Sequence, residues 1–174
     1  PLRRAHLYVS VAETLVAHHL YADADIAFAA ALSELGPEPV EHDGEWWETW
    51  TKILFVRADS LYFQARLDEL TNLNQQLDSV LARHGTVEQQ AQLYARVRQQ
   101  RLRQERYRPS HDTVEITRKS IELAQMANNR ELAGYEIFAL GFLLLWCDDL
   151  QGAEEWLDRA LHEALSMGHV PLED

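Results

Sequence analysis

The chain contains 174 residues, of which 47% are hydrophobic, and this apolar content excludes a disordered polypeptide and supplies one sizeable core. We therefore expect a single domain over residues 1–174. The net charge of −12 is distributed as −7 over residues 1–85, +4 over residues 86–130 and −9 over residues 131–174. This pattern disfavours direct nucleic-acid binding, because binding to the phosphate backbone needs a dominant positive field.

Membrane insertion and a disulfide-stabilised fold are also disfavoured. The longest apolar run, at residues 138–147, is well short of the roughly 18–20 residues that a membrane span needs. The single cysteine, Cys147, can form neither an internal disulfide nor a cysteine metal cluster, and its apolar flank predicts a small buried side chain. These features fit a cytoplasmic location. The chain begins at Pro1 rather than at a methionine, so we expect it to be a fragment of a longer protein.

Turn residues divide the first half of the chain into four predicted helices. The first is expected to bury Leu7, Val11 and Leu15, and Asp23 is the predicted N-cap of the second. Gly85 is expected to end the fourth. The predicted helices cover about 2–21, about 23–35, a stretch from about 45, and about 67–83, with a proline-containing loop at 36–44. The residues predicted to be buried on the third and fourth helices are Trp50, Leu54, Ala58, Leu61, Leu70, Leu73, Leu77, Val80 and Leu81.

Two tryptophans, Trp46 and Trp47, adjoin near the start of the third predicted helix. Consecutive residues on a helix cannot face the same way. We therefore expect one indole to pack inward and the other to be covered by the proline-containing loop or by a neighbouring repeat. A contact with a partner is the alternative.

The second half shows capping patterns that open three of four further helices. Thr86 with Gln89 and Asp112 with Glu115 match the capping box, in which a short polar residue is followed three positions later by Glu or Gln. Asp148 with Gln151 has the same spacing before the last helix. The four predicted helices cover about 87–107, about 112–128, about 131–146 and about 148–168, with Val114, Ile121 and Ala124 expected to be buried on the second of them.

Short connections between helices of this length predict antiparallel hairpins at about 2–36, 45–85, 86–129 and 130–168. No segment alternates with period two, so the predicted class is all-α. The hairpins form either a closed bundle or a row of stacked repeats, and internal repetition distinguishes these arrangements.

The last hairpin carries bulky and small residues at regular spacings, namely Ile137, Leu140, Gly141, Leu144, Ala153, Leu157, Ala160 and Leu161. This pattern resembles a tetratricopeptide repeat, a hairpin motif with bulky and small residues at fixed positions. Small residues at such positions let two helix backbones approach closely. Repeat starts near 5, 51, 94 and 134 give spacings of 46, 43 and 40, which exceed the standard repeat of about 34. The chain therefore resembles a divergent, long-helix tetratricopeptide domain, and the resemblance implies a right-handed superhelical stack of four antiparallel hairpins.

Long, irregular repeats of this kind are similar to the repeat regions of large bacterial ATPase-linked transcription regulators. That resemblance implies a protein–protein interaction or scaffold segment that receives a partner or signal within a larger regulatory protein. Two alternatives stay open. One is a small-ligand sensor, with an inducer held near Tyr62, Phe142 and Trp146. The other is a passive spacer or self-association segment that forms a homodimer.

By analogy with the tetratricopeptide family, the first helix of each hairpin lines a groove for a protein or peptide. Arginines between aromatic walls would suit a peptide with an acidic group, since arginine binds carboxylates bidentately. The alternative is that several of the aromatic residues belong to the core. The predicted groove residues are Lys52, Phe55, Asp59, Tyr62, Arg98, Arg106, Tyr135, Phe142 and Trp146, with Phe63, Leu102, Glu105 and Phe138 at neighbouring groove positions.

Catalysis and cofactor binding are not predicted. The eight histidines show no metal-binding spacing with a third ligand in reach, and no glycine-rich phosphate loop is present. We assign no catalytic residue, no metal ligand and no cofactor. The arginines of the predicted helix at 87–107 spread around most of its surface, so we interpret them as solvated or internally paired.

Overall fold

A computed structural model describes residues 2–38 and 44–168, and all regular structure in these ranges is helical. The helices are α1 (Leu2–Ala17), α2 (Tyr21–Leu35), α3 (Gly44–Phe63), α4 (Leu67–His84), α5 (Val87–Gln104), α6 (His111–Met126), α7 (Arg130–Trp146) and α8 (Leu150–Met167). The predicted all-α class and the pairing of neighbouring helices are confirmed. Within the described ranges no helix is long and apolar enough to cross a membrane. Part of the predicted loop, residues 39–43, lies outside the described residues.

The helices are divided between two compact units, with the boundary between residues 85 and 86. In unit 1 (Pro1–Gly85), α1 pairs with α2, α3 packs against both of them, and α4 packs against α3. In unit 2 (Thr86–Asp174), α5 pairs with α6, α6 packs on α7, and α7 pairs with α8. The unit boundary coincides with a predicted hairpin boundary. The single domain over residues 1–174 and the right-handed superhelix stay predictions.

Five helix ends share one turn geometry, in which a residue other than glycine adopts a left-handed backbone. At the end of α3, Ala65 has φ 57°, its N–H donates to the Tyr62 carbonyl (3.1 Å), and the Arg66 N–H donates to the Leu61 carbonyl (3.0 Å). These two bonds define a Schellman motif, which satisfies carbonyls that the helix leaves open. The left-handed residues of the five turns are His19, Ala65, Arg106, Asn128 and Asp148. The repeated turn gives the short connectors that hold consecutive helices in hairpins.

Gly85 ends α4 as predicted, but only one of the predicted N-caps is confirmed. Thr86 and Gln89 form the complete capping box at the start of α5. The N-cap at Asp23 was wrong, because α2 begins two residues earlier, after Leu20. The predicted boxes that begin at Asp112 and Asp148 were also wrong, because neighbouring residues hold the N-cap positions. Ser110 caps α6 by accepting from the Thr113 N–H, and Asp149 caps α8 by accepting from the Gly152 N–H.

The predicted close approach within the last hairpin is confirmed at Gly141. A β-carbon at this position would lie 2.8 Å from Leu157 Cγ and 3.1 Å from Leu157 N, so only glycine fits against α8. The facing small residues Ala153 and Ala160 are 2% and 3% exposed. They belong to a core that also contains Val114, Ile121, Ile137, Leu140, Leu143 and Leu144. The α7–α8 hairpin therefore packs through small residues, as the repeat pattern indicates.

The buried face of α1 differs from the prediction. Leu7 and Val11 are 61% and 49% exposed, whereas Ala5, Val9 and Ala12 are fully buried. α1 turns its smaller side chains towards the rest of unit 1, and α2 buries small residues as well, namely Ala24, Ala27 and Ala31. Small side chains on two paired helices permit a short distance between their axes. The hydrophobic periodicity predicted the wrong face because the prediction placed the larger apolar side chains inward. The two helices instead pack through small side chains, which let them approach closely.

The expected burial of Cys147 was wrong, whereas the expectation that neither of the adjacent tryptophans is left open agrees with the structure. Trp46 and Trp47 are both buried, at 8% and 6% exposure, although they are consecutive on α3. The Trp46 indole N–H donates to the Leu35 carbonyl (3.2 Å), so one ring faces the end of α2. The Trp47 ring stacks on His84 of α4 at 4.2 Å. Cys147 is exposed, because it follows the last residue of α7 and stands at the turn to α8.

Candidate functional site

The predicted groove residues of unit 1 range from exposed to buried. Lys52 is exposed and pairs with Glu13 on α1 (3.1 Å), and Asp59 is half-buried. Phe55 is only 6% exposed and belongs to the core rather than to an open surface. Tyr62 is half-buried and contacts the exposed Phe63 edge-on, with ring centroids 5.7 Å apart.

The aromatic residues predicted on α7 do come together on one open surface of unit 2. Tyr135, Phe138, Phe142 and Trp146 are spaced by three or four residues, so they lie on one side of the helix. The Phe138 and Phe142 rings are 5.7 Å apart, and the Phe142 and Trp146 rings are 5.0 Å apart in an edge-to-face arrangement. Exposure is 51% for Tyr135 and 39% for both Phe142 and Trp146. We call these four residues the aromatic stripe.

The turn between α5 and α6 adds a fifth ring at the end of the aromatic stripe. Tyr107 contacts Trp146 edge-to-face at 5.4 Å and is 51% exposed. Tyr107 and the preceding Arg106 both have left-handed backbones, with φ 58° and 51°. The sequence placed Tyr107 at the end of a helix, but α5 ends at Gln104, and the turn directs the tyrosine towards α7.

A carboxylate braces this turn. Glu105 accepts hydrogen bonds from the Ser110 hydroxyl (2.6 Å), the Ser110 N–H (3.1 Å) and the Thr113 hydroxyl (2.9 Å). Desolvation raises the pKa of Glu105, but these hydrogen bonds and the charge of Arg101 outweigh it and hold the pKa below the ordinary value. The ionised form of Glu105 therefore fixes the α5–α6 turn that carries Tyr107.

Arg98 does not lie on the open surface. It is 5% exposed, and its guanidinium binds Glu136 of α7 through two hydrogen bonds, Nε–Oε2 at 3.1 Å and Nη2–Oε1 at 2.8 Å. Glu136 is fully buried. The Tyr135 ring lies 6.0 Å from the Arg98 guanidinium carbon. Arg98 thus joins α5 to α7 beneath the start of the aromatic stripe, and its charge is already matched.

Sequence reasoning did not identify Glu136 as a functional or structural residue. It is the only charged residue between Glu131 and Asp148, within an otherwise apolar helix. A lone carboxylate in such a helix needs a partner if it is buried, since unpaired charges are rarely buried. That pattern could have predicted its pairing with an arginine of α5.

Positive charge on the accessible surface of this region comes from other arginines. Arg106 and Arg108 are exposed, and Arg101 is 3.8 Å from Asp112 with 40% of its side chain exposed. Residues 86–130 contain nine basic and five acidic residues, whereas α7 has no acidic residue along the stripe between Glu136 and its last residue. The aromatic stripe therefore has an uncharged surface, with the basic residues Arg106 and Arg108 near its Tyr107 end and the acidic residues Asp148 and Asp149 after Trp146.

The described residues do not bring together a group of three or more side chains that could bind a metal ion. Cys147 is the one thiol of the chain. Partial burial and the charges of Asp149, Asp148 and Glu105 raise its pKa, which disfavours the thiolate. The small-ligand pocket predicted near Tyr62, Phe142 and Trp146 draws on residues of both units and stays a prediction.

Comparison with protein-family models, with curated proteins and with solved structures found no match to this chain.

Proposed function

We propose that the chain is a protein-binding domain built from helix hairpins of the tetratricopeptide type, and that the aromatic stripe of α7 binds the partner. The observation that carries this proposal is the exposure of consecutive aromatic rings. Phe142 and Trp146 are each 39% exposed, and Tyr107 extends the same surface. Aromatic side chains are enriched at interfaces and in the residues that dominate binding energy.

The charges around the aromatic stripe favour a segment that combines apolar and acidic side chains. Arg106 and Arg108 can bind carboxylates, and neither guanidinium group has a hydrogen bond or ion pair within the described ranges. Arg98 is excluded from this role by its bond to Glu136. The domain would act as the partner-binding part of a larger cytoplasmic regulator, as the resemblance to bacterial regulators implies.

A peptide library displayed on phage and selected on the immobilised chain tests the proposal. We expect enrichment of peptides with aromatic or aliphatic residues next to Asp or Glu. Affinity measured by fluorescence anisotropy should fall by roughly 10–30-fold for Phe142→Ala, the loss expected when an interface aromatic is truncated. Arg106→Gln should weaken binding and reduce its salt dependence.

Ile26→Ala is the matched control, because Ile26 is 69% exposed but lies on α2 in unit 1. It should leave affinity unchanged. If the selected peptides bind Phe142→Ala as tightly as the wild-type chain, the aromatic stripe is not the binding surface. Enrichment of basic instead of acidic peptides would contradict the assignment of the charges.

A further inference from the structure

Unit 1 contains a cavity of its own. It has a volume of about 300 Å³, at the lower end of the range for small-molecule sites. Three indoles of α3 line it, Trp46, Trp47 and Trp50. The remaining lining residues come from α2, from the segment that follows it and from the second half of α4, and Glu38, Gln76 and Arg83 are the polar ones among them. One helix therefore supplies the aromatic lining, and charged residues line the same space.

The three indoles form a fixed group around the cavity. Trp46 and Trp50 are nearly parallel, at 15° and 6.4 Å between centroids, and Trp47 meets both rings edge-on at 4.8 Å and 5.7 Å. The Trp46 N–H is bonded to Leu35. The indole N–H groups of Trp47 and Trp50 donate no hydrogen bond within residues 2–38 and 44–168. Trp47 is buried and Trp50 is half-buried, and indole N–H groups in such positions usually find an acceptor, so these two can donate to a ligand.

Two opposite charges line the same cavity. The Arg83 Nε donates to the Ser79 carbonyl (3.2 Å), and within the described ranges the remaining guanidinium donors have no acceptor. These donors can bind a carboxylate in the two-point arrangement that arginine favours. Glu38 supplies a carboxylate that has no hydrogen bond or ion pair in the same ranges. A ligand with one negative and one positive group matches both residues.

We propose that this cavity binds a small aromatic ligand carrying both a carboxylate and an amino group, of the size of a single aromatic amino acid. Its ring would pack against the indoles of Trp46, Trp47 and Trp50. Its carboxylate would bind Arg83, and its ammonium group would bind Glu38. The site is independent of the proposed protein-binding function, since all of its residues belong to unit 1.

Nuclear magnetic resonance of the indole N–H groups tests the proposal at the site itself. The chain contains five tryptophans, and Trp→Phe variants assign their signals. L-phenylalanine is the main probe. 3-Phenylpropionate lacks the amino group, phenethylamine lacks the carboxylate, and L-leucine lacks the aromatic ring. We expect L-phenylalanine to shift the Trp47 and Trp50 signals saturably and to leave those of Trp146 and Trp156 in place. The three other probes should bind more weakly.

Arg83→Gln should weaken L-phenylalanine binding by roughly tenfold or more, since it removes a charge-assisted hydrogen bond. Its affinity for phenethylamine should not change. Arg3→Gln, at an exposed arginine on α1 in the same unit, is the matched control and should bind like wild type. Unshifted Trp47 and Trp50 signals at millimolar L-phenylalanine, or equal affinities of wild type and Arg83→Gln, would overturn the proposal. Neither result depends on whether the aromatic stripe binds peptides.

Discussion

The buried pair of Arg98 and Glu136 gives the sharpest test of how unit 2 is held together. The side chains are 6% and 0% exposed, and two hydrogen bonds of 3.1 Å and 2.8 Å connect them. The pair joins α5 to α7. Each residue can be replaced with methionine alone, and both can be replaced in one double variant. The single variants measure the cost of leaving one buried charge without its partner. The double variant measures how much the intact pair contributes to the free energy of unfolding.

The expected magnitudes follow from burial. Breaking a buried ion pair by removing one partner costs about 3–5 kcal/mol, because the other charge remains in a low-dielectric environment. Arg98→Met should be the costlier change, since it strands a fully buried carboxylate. Glu136→Met leaves an arginine that is slightly exposed and near the Tyr135 ring. The double variant should recover to within about 2 kcal/mol of wild type, because apolar replacement of a whole pair is often neutral or stabilising.

Urea denaturation followed by circular dichroism measures the free energies of unfolding. Hydrogen exchange with mass spectrometry shows which helices lose protection. We expect the single variants to lose protection in α5–α8, where both residues of the pair lie. A loss below about 1 kcal/mol for Arg98→Met would refute the reasoning. A double variant whose loss equals the sum of the single losses would refute it as well, because that result means that the two residues do not interact.

Three further changes are expected to alter stability in urea denaturation. Gly141→Ala should cost about 1–2 kcal/mol because its methyl group would collide with α8, whereas Gly44→Ala, with no atom within 4 Å, should be neutral or slightly stabilising. Equal effects would contradict the close approach. Ala65→Gly should stabilise by about 0.5–1 kcal/mol, since glycine relieves the left-handed backbone at φ 57°, and a loss would argue against that turn. Glu105→Gln should destabilise at neutral pH. Because the pKa of Glu105 is lowered in the folded chain, its contribution to the free energy of unfolding is present above the ordinary pKa of 4.5 and is lost as pH falls below that value. A difference in stability between wild type and Glu105→Gln that does not change with pH would contradict the role of Glu105 in holding the turn.

Helix periodicity predicted most of the core of the middle helices. Leu54, Ala58 and Leu61 on α3 are buried as expected, whereas Trp50, which was also predicted to face inward, is half-buried. The predicted faces of α4 and α6 are also confirmed, at Leu70, Leu73, Leu77, Val80, Leu81, Val114, Ile121 and Ala124. Long side chains at helical spacing define these faces clearly. On α1 the packing face consists largely of small residues, so the same rule selected the opposite side.

The sequence predicted that each helix forms better than it predicted the residue at which each helix starts. Several polar residues stand close together at each turn, and any of them fits a capping pattern. Asp148 and Asp149 show why the choice needs the structure: Asp148 takes the left-handed position of the turn, which leaves Asp149 to cap α8. Three-dimensional turn geometry therefore decides between neighbours that are equivalent in sequence.

The candidate site was predictable in part. The spacing of Tyr135, Phe142 and Trp146 placed them on one helix face, and the structure shows that they are exposed there. The burial of Phe55 and Arg98 could not be read from a repeat register, because it depends on what packs against α3 and α5. The contribution of Tyr107 required the end of α5 and the turn that follows it.

The sequence by itself determined the helical class, the number of helices and the pairing of neighbours, because these follow from local periodicity, turn residues and short connectors. Tertiary structure alone decided which charges are matched internally and which rings remain open. Arg98 and Arg106 look alike in sequence, yet one is bonded to a buried carboxylate and the other is exposed. The reason is physical: burial and pairing depend on contacts between residues far apart in the chain, such as Arg98 and Glu136, which local patterns do not specify.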